Sequence, residues 1–247
     1  MGLESIIILA ALIFIAAILY SSVGHAGASG YLAVMALFVM SPSEMKPTAL
    51  TLNILVASIA VTKYLKADCF SWSIFWPFAL SSIPFAYLGG LILLPSIYYK
   101  PIIGAILIYS AIRFAKDASK PDYIIKTPLM PIVLISGAGI GFLSGLLGIG
   151  GGILLSPLLI VFKWVEVKKA SGIAAAFILV NSIAGLLGFI SSRTPQLPEG
   201  LLIWAVVAVL GGYIGAEYGS KRFGNPTIKR LLSLVLLISG GKMIAIV

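Results

Sequence analysis

Four of the five residues from Gly148 to Gly152 are glycine, inside the apolar run GFLSGLLGIGGGILLSPLL at 141–159. Glycine costs a helix about 1 kcal/mol per residue against alanine, so the run marks a helix break. A break brings unpaired backbone N–H groups to the start of the next helix, where they carry about half a positive charge and suit an anion. Glycine also lets the backbone approach a ligand closely. The candidate anion ligands are therefore the amides around Gly148, Gly150, Gly151 and Gly152. A second small-residue stretch, VGHAGASG at 23–30, offers the same chemistry through Gly24, Gly27 and Gly30, with His25 and Ser29 as side-chain donors. His25 is also a candidate proton carrier, because imidazole titrates near pH ~6.5. Asn53, Asn181 and Ser182 interrupt apolar segments, where polar groups line pathways or join helices by hydrogen bonds.

Other residues carry blander expectations. Gly141 and Gly145, four apart, read as a close helix contact. Pro157 lies too deep in its segment for a first-turn proline and is expected to kink it. Glu217 is the one acid inside an apolar span and is expected to pair with Lys221 and Arg222. Trp72, Trp76, Trp164 and Trp204 fall near segment ends and read as interface anchors. A single cysteine, Cys69, excludes an internal disulfide and a cysteine metal cluster, and a single histidine excludes HExxH. No metal or cofactor is expected. The same scarcity leaves an intramembrane enzyme little from which to build an activated nucleophile and its base.

These residues sit in a chain of 247 that is 60% hydrophobic and only 10% charged, with mean hydropathy +1.11. Soluble domains carry about 25% charged residues, so this composition describes an all-α polytopic membrane protein embedded in the lipid bilayer. The net charge of +9 is scattered in short gaps. It forms no basic stripe for nucleic acid and reads as topology signalling instead. The N-terminus carries Glu4 and no basic residue before its apolar run, so the first segment is expected to be retained.

Apolar segments fall at 6–22, 30–40, 48–64, 70–94 and 101–114, and again at 129–147, 152–162, 170–190, 198–218 and 226–246. The two sets match. ILVASIA at 54–60 repeats as ILVNSIA at 178–184, an offset of 124 that also puts Gly24 on Gly148 and Gly27 on Gly151. Tyr87-Leu-Gly89 matches Tyr213-Ile-Gly215, and Pro101-Ile-Ile103 matches Pro226-Thr-Ile228. The expected units are a first repeat at 1–114, a polar linker at 115–128 and a second repeat at 129–247. With an odd number of crossings per repeat, thirteen basic residues fall on one side and four on the other: Lys46, Lys100, Arg193 and Lys242. An even number gives nine against eight. Cytoplasmic loops collect Lys and Arg, so two inverted repeats are expected, with the linker cytoplasmic and both termini outside. The segments at 30–40 and 152–162 reach only about 16 Å as helices against about 30 Å of hydrocarbon. They are either short spans or halves of re-entrant hairpins. Under inversion the two breaks face each other near the midplane, where transporters built from repeats bind substrate.

The sequence resembles the TauE/SafE family of sulfite and organosulfonate permeases. The likeness rests on GFLSGLLGIGGGILLSPLL at 141–159, on VKKASGIAAAFILVNSIAG at 167–185, and on the duplicated architecture. The first-half loop departs from that family's glycine-rich pattern at His25, Ala26, Ala28 and Ser29. The resemblance implies a secondary transporter of a small sulfur-containing anion in the cell membrane, in the export direction, with protons as a candidate coupling ion. A channel or facilitator for another small anion or a neutral solute is the rival reading.

Overall fold

The computed structural model describes residues 2–116 and 125–221, together with positions 233, 237, 241 and 244. Among them run α1 (Leu3–Ser21), α2 (Ala28–Leu37), α3 (Pro42–Lys66), α4 (Trp72–Leu91), α5 (Ser96–Lys116), α6 (Met130–Leu147), α7 (Gly152–Val161), α8 (Val167–Ser192) and α9 (Leu201–Lys221). No strand occurs among the described residues, as expected of an all-α chain. Helices α1, α3, α4, α6, α8 and α9 are long and apolar enough to cross a membrane. Most of the linker at 115–128 and of the segment at 226–246 lies outside the described residues, as does the Pro226–Ile228 match.

Local chemistry sets the boundaries. Helix α3 starts at Pro42, ahead of the apolar run at 48–64, because Ser41 and Glu44 form a capping box and Pro42 suits a first turn. The short helix α2 is apolar all round, and Ala28–Met35 are all buried, as such a helix must be. Its Tyr31 and Leu32 share one core with Leu147, Ile149, Ile153 and Ile178 around the other break.

Small residues set the contacts between long helices. Gly137, Gly141 and Gly145 of α6 lie against Phe78, Ser82 and Ala86 of α4, so these two helices run parallel. Gly211, Gly215 and Gly219 of α9 lie in the same way along Phe14, Ile18 and Ser22, so α9 is parallel to the helix those residues end. The close contact expected at Gly141 and Gly145 is therefore present. The rings of Phe78 and Phe177, 6.4 Å apart, and the contact of Tyr87 with Gly188 align α4 with α8. Val56 against Gly212 and the Lys63–Glu217 ion pair align α3 with α9. By contrast, Leu50 meets Gly185, Asn53 meets Ser182 and Tyr64 meets Gly172, so α3 and α8 are antiparallel. Thus α1, α3 and α9 point one way, and α4, α6 and α8 the other. Exchanging α1, α3 and α4 for α6, α8 and α9 preserves the main contacts, since α4 packs on α6 and α8 while α9 packs on α1 and α3.

Several expectations change at the side-chain level. Glu217 pairs with Lys221 as expected, and also reaches Lys63 across the bundle; Arg222 lies outside the described residues. Trp72 and Trp76 are exposed, but Trp164 and Trp204 are buried and are not interface anchors. Trp204 turns inward to donate its indole N–H to the Ile6 carbonyl at 3.2 Å, and Trp164 stacks on Phe162. Lys46, counted from the sequence as a loop charge, lies inside α3 and is fully buried. Pro157 sits within α7.

Candidate functional site: two helix breaks with one backbone path

Both breaks follow the same backbone path. In the first, Gly24, Ala26 and Gly27 have positive φ (80°, 53° and 124°); in the second, Gly148, Gly150 and Gly151 do (78°, 73° and 79°). Each pair is 124 residues apart, the offset of the sequence match. The exits of the short helices repeat as well, with Val39 and Lys163 both left-handed (58° and 59°). After each, a backbone N–H reaches back five residues: Met40 to the Met35 carbonyl at 3.3 Å, and Trp164 to the Leu159 carbonyl at 3.0 Å. Ala26 is the one residue of the six in the breaks that carries a side chain in this strained region.

The second break descends into the bundle. Gly148 accepts no side chain without meeting Lys46, whose Cγ and Cα lie 3.2 and 3.3 Å from the position of a Cβ. Two residues later, a Cβ on Gly150 would lie 2.7 Å from Asn53 Nδ2 and 3.1 Å from Ser182 Oγ. Gly151 faces the Phe177 ring and Ser144, and Gly152 faces Ile178. The chain thus passes from the first turns of α3 to the middle of α8 within five residues, and α7 begins there. Its N-cap, Gly151, has no side chain to bond the first turn, and the first amide returned to the helix is that of Leu154, 3.1 Å from the Gly151 carbonyl. A helix leaves its first N–H groups without internal partners. Here those groups begin amid buried polar atoms.

Asn53 Nδ2 donates to Ser182 Oγ at 3.3 Å, and Asn181 Nδ2 donates to the Phe177 carbonyl at 2.8 Å. The other amide oxygens, Asn53 Oδ1 and Asn181 Oδ1, and the Ser144 hydroxyl are buried without a partner among the described residues. Such groups cost about 1–3 kcal/mol each when left unsatisfied. The assignment of amide O and N can be reversed, but either way one end of each amide is unspent. The break therefore presents backbone N–H groups, the Asn53 amide and two hydroxyls, Ser144 and Ser182, around Gly150 and Gly151.

The first break is arranged differently. His25 Nδ1 lies 3.0 Å from the Val23 carbonyl, and Gly24 packs on Ser171 at the start of α8. Gly27, the uncapped start of α2, faces the Tyr31 ring, whose hydroxyl donates to the Ala26 carbonyl at 2.7 Å. Gly30 abuts Tyr20, and Ser29 is buried. Two tyrosines fill at this break the space that amides and hydroxyls border at the other. Of the sequence candidates, Gly150, Asn53 and Ser182 are in mutual contact; Gly151 and Gly152 face Phe177 and Ile178 of α8, and Asn181 lies on the same stretch of that helix. Gly148 packs higher, on Lys46. Gly24, His25, Gly27, Ser29 and Gly30 gather instead around Ser171, Tyr20 and Tyr31.

Sequence reasoning missed Ser144 and Lys46. Ser144 could have been found by spacing, since it lies one helical turn before Gly148 and so on the face of α6 that the break leaves. Lys46 was hidden because hydropathy placed the start of α3 beyond it.

Six membrane-length helices with two buried helix breaks between them describe a polytopic membrane protein, and the similarities to known proteins make it a membrane transporter of a small molecule. A family model described as "Sulfite exporter TauE/SafE" matches residues 9–243, and the chain belongs to this family. It is 40% identical over 96% of its length to "Probable membrane transporter protein y4hK" of Sinorhizobium fredii, covering 97% of that protein. It is 30% identical over 78% of its length to "Probable membrane transporter protein MJ0441" of Methanocaldococcus jannaschii, covering 76%. It is 26% identical over 90% of its length to "Probable membrane transporter protein YjnA" of Bacillus subtilis, covering 92%. No solved structure matches the chain.

Proposed function

We propose that this transporter is a secondary carrier exporting a small sulfur-containing anion, sulfite or an organosulfonate, across the cell membrane. The observation that carries this reading is the start of α7: an uncapped helix N-terminus, buried halfway along α8, bordered by unspent polar groups of Asn53 and Ser144. Amides at a helix start favour anions, and irregular backbone at membrane depth is tolerated where it lines a cavity or is buried in protein. The choice of a sulfur oxyanion rests on the description of the family. Gly150, Gly151 and Gly152 supply the amides, and Asn53, Asn181, Ser182 and Ser144 line the site. Gly148 opens the turn. The first break, with Gly24, His25, Gly27, Ser29 and Gly30, forms the opposed wall, and His25 is the candidate to carry a coupled proton.

The same reading makes the molecule two inverted repeats, 1–114 and 129–247, joined by the cytoplasmic linker at 115–128, with both termini outside. Its support is that α3 and α8, the third helices of the two halves, run antiparallel. In addition α7 is only ten residues long and begins halfway along α8, which suits a re-entrant hairpin better than a full crossing.

Flux through purified protein in proteoliposomes tests the proposal. Sulfite and sulfoacetate are expected to move, and a panel of small cations is not; flux of cations alone would overturn it. Gly151→Leu places a side chain at φ 79°, with its Cβ 2.8 Å from the Phe177 ring. It is expected to lower anion flux at least tenfold while the protein remains in the membrane. Unchanged flux would reduce the break to a packing feature.

A further inference from the structure

Lys46 is a fully buried lysine in a membrane-length helix. Its ammonium spends its three N–H donors on the carbonyls of Gly89 at 3.2 Å, Gly90 at 3.1 Å and Ile92 at 2.7 Å, at the C-terminal end of α4. Arg193 serves the same helix end, donating to the Leu91 carbonyl at 3.0 Å, and the two cations flank one ring, Phe189, at 5.6 and 5.5 Å. Neither makes an ion pair among the described residues. Glu44, two residues ahead, is turned to Ser41, and Glu217 is held by Lys63 and Lys221 near the opposite end of α3. The carbonyl end of a helix supplies about half a negative charge, which offsets only part of the two cations that converge on it. Buried ionic groups are retained at membrane depth where a partner, fixed or transported, compensates them. The residue packed directly on Lys46 is Gly148, the first of the second break.

We propose that Lys46, seconded by Arg193, is the fixed positive charge that makes the second break select anions over neutral solutes. The inference rests on the anion-binding reading of that break. The ammonium keeps its carbonyl partners and acts on the substrate through the field it sets in a low-dielectric corner, where a charge reaches much farther than in water. The substrate anion is the counter-charge that the protein does not provide. Lys46 is thus a specificity-determining residue, which acts without touching the substrate.

Isethionate and taurine separate this role from a structural tie, because both carry a sulfonate but isethionate is an anion and taurine a net-neutral zwitterion. Fluxes of both, and of sulfite, are measured in proteoliposomes with the wild type, Lys46→Arg, Lys46→Met and Lys46→Gln. Lys46→Arg is expected to keep the wild-type ratio of isethionate to taurine, and Lys46→Met to lower it at least tenfold. Lys46→Gln, which retains two N–H donors for the α4 carbonyls, gives the same readout if the methionine variant fails to fold. A ratio unchanged in Lys46→Met or Lys46→Gln, or fluxes of both solutes falling together, overturns the proposal and leaves Lys46 a structural tie. Absence of sulfite and isethionate flux in the wild type overturns the underlying anion reading instead.

Discussion

Ala26 and Gly150 occupy equivalent places in the two breaks and share a left-handed backbone, φ 53° and 73°. An L side chain there costs about 1–2 kcal/mol, and the first break bears that cost with alanine. The second does not, and the reason is spatial: a Cβ on Gly150 would crowd Asn53 Nδ2 at 2.7 Å and Ser182 Oγ at 3.1 Å. Two exchanges should therefore behave unequally. Ala26→Gly relieves strain while adding freedom to the unfolded chain, so the melting temperature in detergent should shift by no more than a few degrees and flux should persist. Gly150→Ala adds strain and disturbs the Asn53–Ser182 hydrogen bond, so flux should fall about tenfold or more. Equal effects on flux would show that the polar pair beside Gly150 plays no part in transport.

At the scale of elements, glycine does a second job that its density in the sequence does not distinguish from the first. Gly145 of α6 lies against the backbone of Ala86 and Gly90, leaving no room for a methyl group, whereas Gly139 on the same helix meets nothing within 4 Å. Gly145→Ala should therefore separate α4 from α6, costing about 1–3 kcal/mol as overpacking does. Gly139→Ala should gain up to about 1 kcal/mol of helix propensity. Thermal unfolding of the purified variants reads both, and equal stabilities would remove glycine contact as the basis of this interface. Much of this level was legible in advance. The breaks, the short helices behind them and the contact at Gly141 and Gly145 follow from glycine spacing and segment length. The fates of Trp204, Lys46 and Tyr31 do not, because each is decided by a partner on another helix: the Ile6 carbonyl, the end of α4 and the Ala26 carbonyl. Hydropathy treats a tryptophan or lysine near a segment end as facing the interface, and cannot see a neighbour that draws it inward.

For the whole molecule, the distribution of charge and the course of the helices bear on one question from independent directions. The C-terminal end of α3, with Lys63 and Lys66, lies beside the N-terminal end of α8, with Lys168 and Lys169, as the contact of Tyr64 with Gly172 requires. The opposite end gathers the start of α3, the end of α4 and Arg193. Lys46 must be struck from the count of loop charges there, since it is buried and tied, and its removal makes the bias toward the Lys66 end larger. The positive-inside rule predicts that this end is the cytoplasmic one. The test uses exposed positions at the C-terminal ends of the third helices of the two halves: Lys66, the last residue of α3, and Thr194, just beyond α8. Each is replaced singly by cysteine in a Cys69→Ser background; the native thiol labels slowly in any case, because burial raises its pKa and withholds the reactive thiolate. A membrane-impermeant maleimide on intact cells is expected to label Thr194→Cys, and Lys66→Cys only after the membrane is opened. Labelling of both from one side would overturn the inverted repeat, since inversion requires equivalent loops to face opposite compartments. Labelling from opposite sides in the reverse order would keep the inversion and overturn the orientation, placing the linker outside.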